Sequence, residues 1–331
     1  MPWTRKSGER MTVLEVSDLA VAFATPEGAV RAVDGVSFSL RAGRCLGVVG
    51  ESGSGKTQTF MAIMGVLPDN ATATGRAVFD GRDLLQAPVG ELNGIRGSRM
   101  TLVMQDALSA LTPHMRIGDQ LKEVLYVHRG VSRHEAERRV LEVLDKVRMP
   151  DARRRMKMYP HELSGGMRQR VTIGMSLLCD PDVLIADEPT TALDVTIQAQ
   201  ILDIFDDLRR DTRTAIVLIT HDLGVLAGRA DDVMVMYGGR IVEQAPVREF
   251  FSAPWHPYSR GLLDAIPRLD GAADGRLIAI PGRPPDPRAL PGGCAFAPRC
   301  PHRRSVCGDE RPELRRSDTG RGFACHFDGP K

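Results

Sequence analysis

Gly50, Gly53 and Gly55 are interleaved with Glu51, Ser52 and Ser54 ahead of Lys56 and Thr57. This is the G-x-x-x-x-G-K-[ST] spacing, whose chemistry is anion binding. Glycines let successive backbone N–H groups turn inward toward phosphate oxygens. A helix opening at the end of the loop adds the positive end of its dipole. Lys56 suits the β- and γ-phosphates, and the Thr57 hydroxyl suits Mg²⁺. The apolar run Cys45–Val49 precedes the loop, while Phe60, Ile63, Met64 and Leu67 follow on one helical side. Strand, loop and helix are the context the spacing requires. A nucleoside triphosphate is the expected ligand.

A second constellation begins at Val183-Leu184-Ile185-Ala186, an apolar run ending in Asp187 and Glu188. Acidic residues at the C-terminal edge of a buried strand face the ligand crevice of an α/β sheet. Asp187 suits Mg²⁺, through water, and Glu188 suits polarising an attacking water. An apolar run followed by two acids is weak evidence alone; paired with the phosphate loop it points to hydrolysis.

The elements that must position these groups alternate between strands and helices from Val13 to Gln244. Strands are expected at Val13–Val16, Ser37–Leu40, Cys45–Val49, Thr101–Met104, Val183–Ala186, Ala215–Ile219 and Val233–Met236. Several are near-continuous apolar runs, as in strands buried on both faces. Ser132 and Glu135 read as a capping box opening a helix striped with Val140, Leu141, Val143, Leu144 and Val147. Ile197, Ile201, Ile204 and Leu208 give a second amphipathic helix. The expected fold is therefore α/β.

The chain has 331 residues, 42% hydrophobic and 26% charged, enough for one large domain and an appendage. A net charge of +2 gives no argument for nucleic acid or anionic lipid as main partner. No apolar stretch reaches the roughly 18 residues that would span a bilayer, so any membrane role is expected to come through a partner. Met1–Arg10 is polar and basic with no apolar core behind it; it does not read as a signal peptide, and Met11 is an equally good start.

Leu163-Ser164-Gly165-Gly166-Met167-Arg168-Gln169-Arg170 resembles the signature motif of ABC ATPases, just upstream of the acidic strand. The generic pattern has Gln where Met167 stands, a change outside the Ser-Gly-Gly cradle. The resemblance implies a P-loop ABC-type nucleotide-binding domain: a RecA-like sheet core, an antiparallel β part and a helical subdomain. It implies that Ser164, Gly165 and Gly166 serve the partner's ATP, so that ATP is sandwiched between two chains. Gln105 resembles the glutamine that touches Mg²⁺ and senses the permease, Thr191–Asp194 the loop between sites, and His221 the switch histidine at the γ-phosphate. Phe23 is the candidate for stacking on adenine, several residues from the usual spacing. ATP, with Mg²⁺ held by Thr57, Gln105 and Asp187, is thus the implied ligand set, and Glu188, His221 and Gln105 the implied catalytic residues.

Two features narrow the resemblance. The interval from Asp106 to Glu162 is short, unlike the long coiled coil of repair and chromosome ATPases, and Gln105–Pro113 resembles the part of importer ATPases that receives a permease helix. Pro254–Arg260 and Ile280-Pro281-Gly282 resemble the C-terminal extension of oligopeptide/dipeptide importer ATPases. The implied organisation is an ATP-binding domain over 11–245, with its helical subdomain near 106–180, and an extension over 246–331. The implied partners are a second, different ATPase subunit, two permease subunits and, indirectly, an extracytoplasmic binding protein, with no nucleic acid. The implied place is peripheral, on the cytoplasmic face of the inner membrane. Import of another small solute and a non-hydrolysing regulatory role are the alternatives.

Ten prolines between Pro254 and Pro301 rule out long regular elements there, so something other than a large apolar core must order this tail. Cys45 and Cys179 lie in apolar runs and read as buried hydrophobes. Cys294, Cys300, Cys307 and Cys325 crowd into the tail and suggest a staple. Disulfides are disfavoured in a reducing compartment. Zinc usually shows a close cysteine pair, absent here, although His302 and His326 could substitute. A 4Fe-4S cluster tolerates irregular spacing, and Arg299, Arg303 and Arg304 would favour its negative charge. The subfamily resemblance also points to 4Fe-4S, with zinc as the alternative.

Overall fold

The computed structural model describes residues 12–191, 193–266, 279–317 and 320–327. The start-site reading at Met1–Met11, Ala192 of the inter-site loop and Pro267 lie outside the described residues.

Two long strands, β1 (Thr12–Thr25) and β2 (Gly28–Arg41), form an antiparallel hairpin across Pro26 and Glu27. With β3 (Cys45–Val49), β4 (Ala71–Phe79) and β5 (Arg82–Asp83) the chain completes a first sheet, ordered β2-β1-β4-β5, and opens the second. The second sheet adds β6 (Met100–Val103), β7 (Val183–Asp187), β8 (Ala215–Ile219), β9 (Asp232–Tyr237), β10 (Arg240–Pro246), β11 (Arg315–Arg316) and β12 (Gly322–Phe323). Its order is β11-β12-β10-β9-β3-β8-β7-β6, parallel from β9 to β6 and antiparallel beyond.

Every residue of β3, β7 and β8 is buried, and alternate residues serve opposite faces. Cys45, Val49, Leu184, Ala186, Ile216 and Leu218 enter one core. Leu46, Val48, Val183, Ile185, Val217 and Ile219 enter the other. The second core joins α1 (Lys56–Met64) to the hairpin sheet through residues such as Phe60 and Phe38, whose rings lie 5.7 Å apart. On the hairpin side also lies α2 (Val89–Ile95).

The first core takes the helices between β6 and β7: α3 (Ile117–Arg129), α4 (Arg133–Lys146), α5 (Ala152–Arg155) and α6 (Gly165–Leu177). It also takes α7 (Val195–Asp211), which buries Ile201, Ile204 and Leu208 as the spacing predicts. At α4, Ser132 Oγ accepts from Glu135 N–H at 3.3 Å, while the Glu135 carboxylate turns to Arg138 instead of closing the box. Among the described residues no helix is long and apolar enough to cross a membrane.

A short α8 (Leu223–Leu226) lies between β8 and β9, and beyond β10 the chain forms the short elements α9 (Val247–Ser252), α10 (Pro257–Asp264) and α11 (Val306–Asp309) before β11 and β12. This segment is tied to the main sheet in a way its prolines do not advertise. β12 pairs with β10, and Ala324 N–H donates to Val242 O at 2.9 Å. Glu243, fully buried, accepts from Trp255 N–H, His256 N–H and Arg321 Nη2 at 2.9, 2.8 and 2.8 Å. Tyr258 packs on Tyr237 and Phe296, with ring centroids 4.6 and 5.4 Å away. A buried carboxylate hub and three aromatic rings thus supply the order that a larger core would otherwise provide.

Candidate nucleotide site

The parallel strands lie side by side as β3-β8-β7-β6, and each ends in a residue singled out above. The phosphate loop follows β3, His221 follows β8, Asp187 and Glu188 close β7, and Gln105 follows β6. Register aligns these ends: Val48 pairs with Ile219, Ile219 with Asp187, and Val103 with Ala186. Four loops therefore converge at one carboxyl edge, where α/β sheets bind ligands.

Gly50, Gly53 and Gly55 adopt φ of 154°, 79° and 96°. A Cβ at Gly50 would stand 2.2 Å from Met236 O, and one at Gly55 2.4 Å from Ala32 O. Side chains are excluded at both positions by backbone atoms that cannot easily give way. Ser54 Oγ is buried and has no hydrogen-bond partner among the described residues, which suits it to a loop-bound anion. Lys56 Nζ donates to Gly50 O at 2.7 Å and Glu51 O at 3.1 Å. Burial lowers its pKa, against the opposing pull of Glu188, Asp187 and Glu51. Phosphate oxygens would offset that desolvation better than carbonyls.

Thr57 Oγ1 donates to Asp187 Oδ2 at 2.7 Å, bringing the two expected Mg²⁺ groups together. Burial raises the Asp187 pKa, and the neighbouring Glu188 charge adds to it. A divalent cation would reverse that preference, and the oxygen-only pair fits a hard ion. Glu188 differs. Burial acts to raise its pKa, but the hydrogen bonds from His221 and Thr191 and the charges of His221 and Lys56 together outweigh it, and the net shift is downward. His221 Nδ1 lies 3.2 Å from Glu188 Oε1, while Gln105 Nε2 and Thr191 Oγ1 donate to Oε2 at 3.0 and 2.9 Å. Glu188 itself has φ 47°, a left-handed backbone rare for a side-chain-bearing residue and a strain typical of functional sites. Adjacent carboxylates are thus driven in opposite directions, which separates their roles.

Gln105, His221 and Glu188 form one group, and Thr57 and Asp187 another. Ser164, Gly165 and Gly166 are elsewhere, at the start of α6, where Ser164 Oγ caps Met167 N–H at 3.3 Å. Ser164 and Gly165 are exposed. A Cβ at Gly166 would meet Ile197 Cγ2 at 2.7 Å. Phe23 is half-buried on β1, opposite Val30 and Ala71. Ser52 is exposed at the loop tip. Thr191 was legible only as part of a loop; its grip on Glu188 had no sequence signal beyond proximity. Two further contacts were invisible: Arg299 bonds the Glu51 carboxylate, and Tyr258 accepts the Glu51 N–H.

The cysteine expectation requires correction. Among the described residues no group of three or more His, Cys, Asp or Glu side chains is arranged to hold a metal ion. Cys294, Cys300, Cys307 and Cys325 are free thiols beside His302 and His326 around a cavity of only about 10 Å³. That is room for about one water at most. Burial raises the pKa of Cys294 and Cys300, and pushes Cys325 up to about 11, so these thiols are neutral. Cys307 Sγ and Cys325 Sγ accept backbone N–H groups of Arg304 and Phe327. Neither the 4Fe-4S cluster nor the zinc alternative stands. Aromatic packing and the Glu243 hub hold the segment instead.

The ABC transporter family matches residues 33–191, and the oligopeptide/dipeptide transporter C-terminal region matches residues 242–307. The chain is 54% identical to an oligopeptide transport ATP-binding protein, OppD, of Salmonella typhimurium, covering 95% of this chain and 93% of that protein. It is 49% identical to a dipeptide transport ATP-binding protein, DppD, of Bacillus subtilis, covering 93% and 92%. The dimeric ATP-binding cassette MJ0796, in a post-hydrolysis state with ADP and Pi, superposes with TM-score 0.64 at 26% identity over 71% of this chain and 99% of that one. The chain belongs to the ABC transporter family, as an ATP-hydrolysing subunit of its oligopeptide/dipeptide branch.

Proposed function

We propose that the four converging loops bind MgATP and hydrolyse it to power import of peptides across the cytoplasmic membrane. The observation that carries this reading is the Glu188 carboxylate, held by His221, Gln105 and Thr191 beside the Thr57–Asp187 pair at the edge of the phosphate loop. Gly50, Ser52, Gly53, Ser54, Gly55 and Lys56 would take the phosphates, and Phe23 the adenine. Thr57 and Asp187, with Gln105, would hold Mg²⁺, which neutralises charge on the transferring phosphoryl group. Glu188 remains ionised and accepts the proton of the attacking water, while its three partners fix the carboxylate in place. His221 then stands at the γ-phosphate.

The exposed N-terminus of α6 would serve the ATP of a second ATPase subunit, so that Ser164, Gly165 and Gly166 complete the opposite site. Support comes from the dimeric cassettes of the same fold. The partner subunit is read as a different chain, and the pair as docking beneath two permease subunits at the membrane's inner face. The residues from 246 onward are read as an appended module of the importer type. The relatives named for oligopeptide and dipeptide transport support peptides as cargo. A regulatory, non-hydrolysing role is disfavoured by the intact Glu188 and His221 pair.

ATP-dependent uptake of a labelled tripeptide into vesicles containing the chain, its partner ATPase, the permeases and binding protein tests the reading. Uptake that stops with Lys56→Ala supports it. ATP hydrolysis without peptide uptake, but with uptake of another solute, would overturn the cargo.

A further inference from the structure

Glu51 is a loop side chain for which anion binding has no evident use, since a carboxylate beside phosphates is repelled by them. It is gripped from the C-terminal segment instead. Arg299 Nη1 and Nη2 donate to Glu51 Oε2 and Oε1 at 2.7 and 2.9 Å, a bidentate fork. The Glu51 N–H donates to the Tyr258 hydroxyl at 2.9 Å. Main chain and side chain of one loop residue are thus held by two separate parts of the segment.

The grip is built rather than incidental. Arg299 is only 7% exposed, and it also donates to Pro281 O, Tyr237 Oη and Ile280 O at 2.9, 3.2 and 3.3 Å. Tyr258 is fully buried against Tyr237 and Phe296. Pro284, Pro285, Pro287 and Leu290 wall a small cavity whose other side is Ser52, Gly53 and Ser54. The Glu51 carbonyl meanwhile accepts from Lys56 Nζ.

A loop with three glycines at positive φ has little internal preference for one shape, and holding it reduces the ordering cost of ligand binding. We propose that Arg299 is a positioning residue for the phosphate loop. Together with Tyr258 it fixes Glu51, so that the backbone from Gly50 to Lys56 keeps the shape that receives the triphosphate. ATP affinity then depends on the packing of the C-terminal segment, and by linkage ATP tightens that segment. The inference rests on Gly50–Thr57 being the nucleotide loop, as proposed above.

The test compares wild type, Glu51→Gln, Arg299→Gln, the double variant, Arg299→Lys and Lys56→Ala. The readouts are ATP binding by the full chain and KM and kcat for hydrolysis by the assembled transporter. Each single loss of the fork is expected to raise KM and weaken binding roughly tenfold, within the usual range for coupled sites, with a far smaller change in kcat. The double variant should be no worse than the weaker single, because both remove one contact. Arg299→Lys should rescue only in part, since an ammonium cannot make the fork. Glu51→Gln leaves the other acceptors of Arg299 intact, so it reports even if Arg299→Gln fails to fold. Unchanged binding in Glu51→Gln, or multiplying losses in the double variant, would overturn the positioning role. Retained tight binding in Lys56→Ala would instead overturn the loop assignment beneath it.

Discussion

Replacing Arg321 with Met removes one cation from the hub that joins the C-terminal segment to the catalytic sheet. Arg321 and Glu243 have side chains 4% and 0% exposed, so solvent screens this pair little. Loss of one partner from such a pair typically costs about 3–5 kcal/mol, because the remaining charge stays buried. Glu243 would retain the Trp255 and His256 N–H donors, which places the cost near the lower end. Arg321 also lies 4.0 Å over the Trp255 ring, a contact that Met only partly replaces. A cost of about 3 kcal/mol corresponds to roughly a hundredfold in the opening equilibrium of β12 from β10. Hydrogen exchange reads it directly: the Ala324 amide, bonded to Val242 O, should lose about that factor of protection. Amides of β3 should change far less and serve as the internal reference. Equal protection of Ala324 in the folded variant and wild type would refute the hub.

His256 is buried neutral, with burial depressing its pKa to about 3 from 6.5. The unfolded chain binds a proton below 6.5 that the folded one refuses, so this contribution is complete above that pH and declines as pH falls toward 3. Stability should fall by up to about 1.4 kcal/mol per pH unit in that window from this group, and His256→Gln should flatten that limb in denaturant titrations. Gly55→Ala should weaken ATP binding about tenfold or more, since left-handed strain alone costs roughly 1–2 kcal/mol. A fluorescent ATP analogue measures that loss. Alkylation of Cys325 at pH 8 should run about a hundredfold slower in the folded chain than in denatured chain, from its thiol raised from 9.0 to about 11. Mass spectrometry of the labelled peptide checks it.

Much of this architecture can be read from pattern because its physics is local. Strands β3 and β8 are continuous apolar runs buried on both faces, and their boundaries match the reading residue for residue. Strand β4 escaped because Thr72, Thr74, Gly75 and Arg76 leave much of it exposed and without an apolar run. β1 and β2 extend well past their apolar segments because one hairpin pairs them across several register shifts. The residues proposed for the nucleotide were chosen from fixed spacings along loops that each follow one strand, and adjacent parallel strands bring those loops to one edge. Arg299 and Glu51 are 248 residues apart, and no periodicity links them. The cysteines misled for a related reason: spacing says nothing about where thiols point or whether burial keeps them protonated.

The most direct test of the central claim is ATP turnover by the assembled transporter carrying Glu188→Gln, with ATP binding measured on the same preparation. The variant keeps the shape of the side chain but removes the charge that His221, Gln105 and Thr191 hold in place. Loss of a general base predicts a fall in kcat of about 10²–10⁴-fold, with nucleotide still bound. Turnover at the wild-type rate, with ATP bound normally, would contradict it.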